Sequence, residues 1–402
     1  LIDIFVFGIA IIIAAELFLI TLVLWLRSSC PWLITWLDRS PKIDPRGLDA
    51  FMEHGWDAEL GWIRKPNTQH NETGRDGVQT SYHLDQNGAR LNPGFENRAI
   101  DILAYGDSYT FARQVNDDET WPHILSKQLD VNVANFGVGN YGLDQALLRL
   151  EREYEKYPAK IVIIGVVPET ICRIHAVWKH FSEYGNTFAF KPRFILNGSQ
   201  LELFRNVINT RDKYSRIEEY YDTLAQHDYF YHRKFCRDLF TFPFTFSLIR
   251  NWQRNSALIL KALADRLNIT KDAAFISVMN RNIDMTVELF DCPECTDLFA
   301  RICHRFKNFC DTHDAKPVLV MMPQLMDLMR IKDENHYYKD LLTKLSEDMT
   351  VIDLAPALLA SGAPEDLYIN DYYGGHLSKL GNEVAAKTVA QACSDMQIHM
   401  RT

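Results

Sequence analysis

The sequence predicts an α/β protein in which a parallel sheet is covered by helices on both faces and carried on an N-terminal membrane helix. Three observations point there. Short runs such as 99–105, 160–167 and 317–323 are apolar without alternation, as strands buried on both sides are, and stretches with helical periodicity separate them. Glycine-containing turns follow the strand candidates at 99–105 and 131–136. Residues 1–26 form one apolar stretch interrupted by only two acidic residues, Asp3 and Glu16.

That stretch is long enough to cross the roughly 30 Å hydrocarbon core, and Trp25 with Arg27 supplies an interfacial flank. A cleavable signal peptide has a shorter apolar run and a small-residue cleavage site, so 1–26 reads as a single-pass membrane anchor. Glu16 sits near its middle, where an ionisable side chain is expensive and commonly faces another helix or a polar cavity. Two readings stand side by side: a membrane-protein partner met through Glu16, or a protonated Glu tolerated by a tilted helix. The basic residues after the span, Arg27, Arg39, Lys42 and Arg46, favour a cytoplasmic body by the positive-inside rule.

Among 402 residues the apolar fraction is 47% and the charged fraction 24%, which is ordinary for a globular chain and excludes disorder as the default. The formal charge is −9 and no Lys/Arg run tracks a phosphate backbone, so nucleic acid is not an expected partner. Cys292 and Cys295, followed by Cys303 and Cys310, match no common zinc spacing, and neither a metal nor another cofactor is expected. Cys303 and Cys310 are seven apart on a helical stretch and read as one buried stripe.

Along the chain, 27–97 mixes Trp, Pro, Asn and Gly without a sustained period and reads as a stalk and packing arm; 98–402 reads as one domain. A strand at 99–105 ends in Gly106. Thr120-Trp-Pro opens a helix to Leu129, with Thr as cap and Pro in the first turn. A strand at 131–136 enters Gly137-Val-Gly-Asn-Tyr-Gly142, and helix 143–157 follows with apolar residues at 143, 146, 147 and 150. Further strands are expected at 160–167, 317–323 and 350–354. The segment 171–290 is far longer than a crossover helix needs and reads as an insertion rich in aromatic rings, most of them expected to pack on the sheet. Sites in such folds lie at the carboxyl ends of the strands.

A serine hydroxyl becomes nucleophilic when a base takes its proton and dipoles stabilise the developing oxyanion. Ser108 meets the placement requirement, since it stands just past a strand end at the start of the next helix, where backbone N–H groups are unpaired. Near the other end of the chain, Asp371-Tyr-Tyr-Gly-Gly-His376 places a carboxylate and a histidine in a loop before the last predicted helix, 383–393. His376 is the candidate base and Asp371 the residue that orients its ring.

Three blocks in this order, each at a strand end or before a helix, resemble the SGNH/GDSL hydrolase family over roughly residues 99–393. They are Gly106-Asp107-Ser108-Tyr109-Thr110, Asn135-Phe-Gly137-Val-Gly139-Asn140-Tyr-Gly142-Leu-Asp144-Gln145 and His376-Leu-Ser-Lys-Leu-Gly-Asn382. The resemblance implies a flavodoxin-like three-layer α/β/α fold and acyl-ester chemistry on glycans, lipids or small esters. It implies Ser108 as nucleophile, with its own N–H as one oxyanion donor and the turn at Gly139 and Asn140 as the second. It also implies a body outside the cytoplasm, against the basic flank.

Two positions depart from the family pattern. The third donor is normally an Asn after the third strand, and here the chain runs Gly165-Val-Val-Pro-Glu169-Thr170. A carboxylate aimed at an oxyanion repels it, and the loss of one donor costs roughly 3–4 kcal/mol of transition-state stabilisation. Arg173, four residues on, is placed to neutralise Glu169 if the segment is helical. The usual acid stands three residues before the histidine, a position held here by Tyr373, while Asp371 stands five before. Two functions follow as alternatives: an esterase or O-acyltransferase, or a catalytically weak subunit of a membrane complex that keeps the fold for docking.

Overall fold

The computed structural model describes residues 2–74, 77–332, 336–369 and 375–401. The chain forms two compact units. One comprises residues 1–51, 176–190 and 207–282, and the other 52–175, 191–206 and 283–402. The expected stalk and packing arm, 27–97, is therefore divided between them, and so is the insertion.

In the first unit, helix α1 (Ile2–Arg27) is long and apolar enough to cross a membrane. Most of the expected insertion belongs to this unit, and its rings pack on one another. Trp178, Phe181, Tyr221 and Phe235 are buried in stacked and edge-on contacts, with Trp178 and Phe190 at 4.9 Å between centroids. These contacts are ring on ring, so within this unit the aromatics form a cluster of their own. Large rings buried against each other remove apolar surface from water as well as a sheet face does.

The second unit is built on a five-stranded parallel sheet. In chain order its elements include β1 (Ile102–Gly106), α2 (Ser108–Phe111), α3 (Trp121–Leu129), β2 (Val133–Asn135), α4 (Leu143–Glu153), β3 (Ile161–Val166) and α5 (Thr170–Arg173). Beyond the insertion come α6 (Pro293–Thr312), β4 (Lys316–Met321), α7 (Leu325–Lys332), β5 (Thr350–Asp353) and α8 (Lys379–Arg401). The strand order is β5-β4-β3-β1-β2, the flavodoxin-like order, with Ile102 opposite both Val133 and Ile161. Every residue of β1 and β3 is buried, which is why both read as unbroken apolar runs. α4 and α6 pack together on one side of the sheet, and α3 and α8 pair on the other.

Local chemistry explains the boundaries. Thr120 caps α3 by accepting from His123 N–H at 3.2 Å, with Pro122 in the first turn. Cys295, Cys303 and Cys310 lie on the buried side of α6, in agreement with the expected stripe for the latter two. Residues 52–97 are more than an arm. They contribute the antiparallel hairpin of Gln69–Thr73 with Gln79–His83 and the buried Arg90, which reaches the carbonyl groups at the end of the Ser108 helix.

Candidate active site

Ser108 opens α2 directly beyond β1 and is partly exposed, while Asp107, Tyr109 and Thr110 around it are buried. The turn is tight. Gly106 has φ +149°, and a Cβ there would lie 1.9 Å from the Gly165 carbonyl oxygen on the neighbouring strand. Only glycine allows β1 to pass that close to β3 before the chain turns. Asp107 caps α2, its Oδ1 accepting from Tyr109 N–H at 2.8 Å. At the other end of the helix, Arg90 donates to the carbonyls of Phe111 and Ala112 at 2.8 and 2.6 Å and to Asp117 Oδ1 at 2.9 Å.

His376 arrives from a loop 268 residues away and sets Nε2 at 2.9 Å from Ser108 Oγ. Three groups hold that loop. Tyr109 Oη donates to the Gly375 carbonyl at 2.6 Å, and its ring lies 4.9 Å from the His376 imidazole. The His376 carbonyl accepts from Ile369 N–H at 2.8 Å. Asn382 Nδ2 donates to the carbonyls of Leu377 and Ser378, and its Oδ1 accepts from Trp121 N–H at 3.0 Å. Asp371, expected beneath the imidazole, lies outside the described residues, as does Tyr373.

The second block abuts the first. Val138 N–H donates to the Gly106 carbonyl at 2.9 Å, and Asn135 Nδ2 donates to the Thr110 carbonyl at 2.9 Å. Gly137 is pressed so closely on α2 that a Cβ would meet Phe111 N at 2.3 Å. The turn continues through Gly139, whose carbonyl accepts from Trp62 Nε1 at 2.9 Å, to Asn140, exposed with φ +65°. Gly139 and Asn140, the expected donors, thus stand on the turn that follows Gly137 and Val138, which pack against the Ser108 helix.

Glu169 follows β3 and pairs with Arg173 one helical turn on, Oε2 to Nη2 at 2.6 Å. Arg173 is buried and shared. Its Nη1 lies 3.2 Å from Asp107 Oδ2 and 3.2 Å from the Tyr141 carbonyl, so one guanidinium spans two carboxylates. Burial pushes the Asp107 carboxyl up, and Arg173 with the N–H groups of Val167 and Tyr109 offsets part of that push. The neutralisation of Glu169 expected from the four-residue spacing is present.

Sequence reasoning missed the cluster after β4. Gln324 Nε2 lies 3.5 Å from Glu169 Oε2, and its backbone N–H donates to Asp327 Oδ2 at 2.9 Å. Tyr337 Oη donates to Asp327 Oδ1 at 2.6 Å. Asp327 is wholly buried, and desolvation, with the Glu169 charge adding to it, pushes its carboxyl up to about 6. Roles for Tyr109 and Arg90 were missed as well. Tyr109 stood inside a motif whose other letters drew attention, and Arg90 stood in a segment without periodicity.

Chemically, a hydroxyl at a strand end, an imidazole nitrogen within hydrogen-bond reach and a helix start behind the hydroxyl can deprotonate and stabilise an attacking oxygen. Among the described residues no group of His, Cys, Asp and Glu is placed to hold a metal ion.

No protein-family model matches the chain, and no curated protein matches it. Solved structures similar to it include a member of the lipolytic protein G-D-S-L family from Veillonella parvula DSM 2008, at 9% identity over 73% of this chain and 97% of that one, TM-score 0.33. The psychrotrophic esterase EstA from Pseudoalteromonas sp. is 12% identical over 74% of this chain and 98% of its own, TM-score 0.34. An acetyl-xylooligosaccharide esterase from Geobacillus Stearmophilus, in a mutant form, is 10% identical over 73% and 93%, TM-score 0.31. At these identities and scores the likeness adds no weight to the chain's own geometry. Strand order, helix layers on both faces, Ser108 at the end of β1 and His376 beside it in the loop before α8 give this chain the α/β/α fold of the SGNH/GDSL hydrolases.

Proposed function

We propose that this protein is a membrane-anchored serine esterase or O-acyltransferase that works through an acyl-Ser108 intermediate. Its body lies outside the cytoplasm, and its substrate is an acyl ester such as one on a cell-surface glycan. The observation that carries this reading is the 2.9 Å approach of His376 Nε2 to Ser108 Oγ. His376 takes the hydroxyl proton as Oγ attacks the ester carbonyl carbon, and the N–H groups of Ser108 and of the Gly139–Asn140 turn receive the oxyanion. Collapse expels the alcohol, which leaves with the proton from His376. Water or an acceptor hydroxyl then repeats the sequence on the acyl-enzyme, and Asp371 orients the imidazole throughout. The apolar α1, with its exposed faces of Ile, Phe and Leu, supports the anchor.

One observation favours a second reading, a catalytically weak subunit of a membrane complex. Glu169 stands where the SGNH family carries a neutral Asn donor, and its charge is balanced by Arg173 rather than removed. A fluorophosphonate probe applied to the full chain in its membrane separates the two. The esterase reading expects labelling of the wild type, none of Ser108→Ala and strongly reduced labelling of His376→Ala. An unlabelled but folded wild type sinks it and leaves the second.

A further inference from the structure

One face of the second half of α1 is covered by residues 240–274 of the same chain, while Leu17, Phe18, Leu24 and Trp25 on its other side are exposed. Leu19, Val23 and Leu26 are buried against Phe240, Leu258 and Ala262. The covering segment includes two helices, Phe244–Arg250 and Trp252–Arg266. Its outward side carries five large apolar side chains alongside the exposed Arg250 and Gln253. Phe242 is 75% exposed and Ile249 67%, with Phe246, Trp252 and Leu260 exposed beside them. A contiguous face of that kind on a soluble surface is a binding surface or an aggregation hazard.

Its depth identifies what it meets. Glu16 precedes Arg27 by eleven residues, about 16 Å along a helix axis, or roughly half of a 30 Å hydrocarbon core. At that level the Glu16 carboxylate accepts from the backbone N–H of Phe244, from Thr245 N–H at 3.0 Å and from the Thr245 hydroxyl. Those N–H groups open a helix and have no intrahelical acceptor. Ser247 Oγ in turn accepts from Thr241 N–H at 3.1 Å and donates to the Thr241 carbonyl at 2.8 Å, and Asn255 Nδ2 donates to the Ser247 carbonyl at 3.0 Å. Irregular backbone at membrane depth must satisfy its polar groups inside the protein, and here it does so through three side chains. Arg250, exposed on the same segment, donates to the carbonyls of Cys236, Arg237 and Leu239.

We infer that residues 240–260 form a collar embedded in the lipid leaflet along one face of the second half of α1, with Phe242, Phe246, Ile249 and Trp252 in contact with acyl chains. The inference rests on α1 being a membrane span. Lipid is the occupant because the collar is continuous with that span and stands at its depth. The carboxylate of Glu16 is the internal counterpart of the collar's backbone donors and not a handle for another protein.

The test is collision accessibility of a nitroxide label on the full chain in phosphatidylcholine vesicles and in native membranes. Labels are placed at Phe242→Cys and Phe246→Cys in a background carrying Cys236→Ser and Cys292→Ser. Ile12→Cys in α1 serves as the lipid reference and Lys387→Cys as the aqueous one, both sites being exposed. The collar requires an oxygen-to-nickel collision ratio at 242 and 246 near that of the label at 12 and several-fold above that of the label at 387. If 242 and 246 match 387 while 12 reads lipid, the collar is overturned and the anchor stands. If 12 also reads water, the anchor fails and the collar with it. Low collision with both reagents at 242 and 246 in native membranes means that a protein covers the face, and overturns the lipid assignment.

Discussion

Two carboxylates look out of place in the sequence, Glu169 beside a candidate oxyanion site and Glu16 in the middle of an apolar helix, and the chain resolves them by different means. Glu169 is met by a full positive charge, Arg173, at 2.6 Å. Glu16 is met by two backbone N–H groups and a hydroxyl. The difference follows from surroundings. A guanidinium at the end of β3 already has work to do there, since it also faces the buried Asp107 and the Tyr141 carbonyl. In an apolar span a second charge brings its own desolvation penalty, whereas the start of a helix offers donors that need an acceptor in any case. The contrast shows that an ionisable residue flagged in a sequence reports a requirement for partners and leaves their chemistry to the fold.

The largest expected effect is at Arg173. Arg173→Ala leaves the buried Asp107 and the half-buried Glu169 without their cation, and loss of about 3–5 kcal/mol in denaturant unfolding is expected. Adding Glu169→Gln to that variant recovers part of the loss. A double variant no more stable than the single one breaks the claim that Glu169 is what Arg173 neutralises.

Next comes Asp327, a buried carboxyl in the second unit that is held by Tyr337 and an N–H and has no cation within the pair of bonds described above. Its folded value, about 6, stands above the ordinary 3.8, so the folded state binds the proton more tightly. Its contribution to stability is therefore complete below pH 4 and lost as pH rises through 6, about 3 kcal/mol in all. Asp327→Asn removes that slope. The comparison is of unfolding midpoints at pH 4 and pH 8, and a difference between wild type and variant that is equal at both sinks the assignment.

A smaller effect is expected at Glu16. Glu16→Ala strands two N–H groups and a hydroxyl, for a loss of about 2 kcal/mol, read as a lower Tm of the full chain in micelles. Glu16→Gln keeps an acceptor and loses less. If the two substitutions are equally damaging, the negative charge matters in its own right and the contrast with Glu169 narrows. The smallest change is Tyr109→Phe, which removes one neutral hydrogen bond to the His376 loop. About 1 kcal/mol of stability and a few-fold fall in kcat with KM little changed are expected from unfolding and ester-hydrolysis assays. A KM effect alone would assign Tyr109 to substrate contact.

Much of the sheet was legible because each strand carries its own signal. β1, β3 and β4 are continuous apolar runs, and Gly106 marks the strand end where only glycine fits. The long apolar helix α1 is legible for the same reason, as length and apolarity are local properties. Ser108 and His376 were legible as letters in blocks, and Arg173 as a four-residue spacing from Glu169. Arg90, Asp327 and Tyr337 were not. The partners of Arg90 and Tyr337 lie across loops, and Asp327, apart from the N–H of Gln324 three residues before it, meets Tyr337 ten residues on.

The amino-acid sequence by itself determined the apolar span, the alternation of buried strands and helices, and the three blocks that set Ser108 past a strand end and His376 in the loop before the last helix. Those properties depend on residues within a few positions of one another, through periodicity, capping and the steric freedom of glycine. Only the tertiary structure decided that His376 reaches Ser108 across 268 residues, that Arg173 serves two carboxylates, and that Glu16 finds its donors 228 residues away in the chain's own insertion. Such pairings are set by which surfaces the packed elements bring together, and the cost of a buried polar group without a partner is what makes each of them specific.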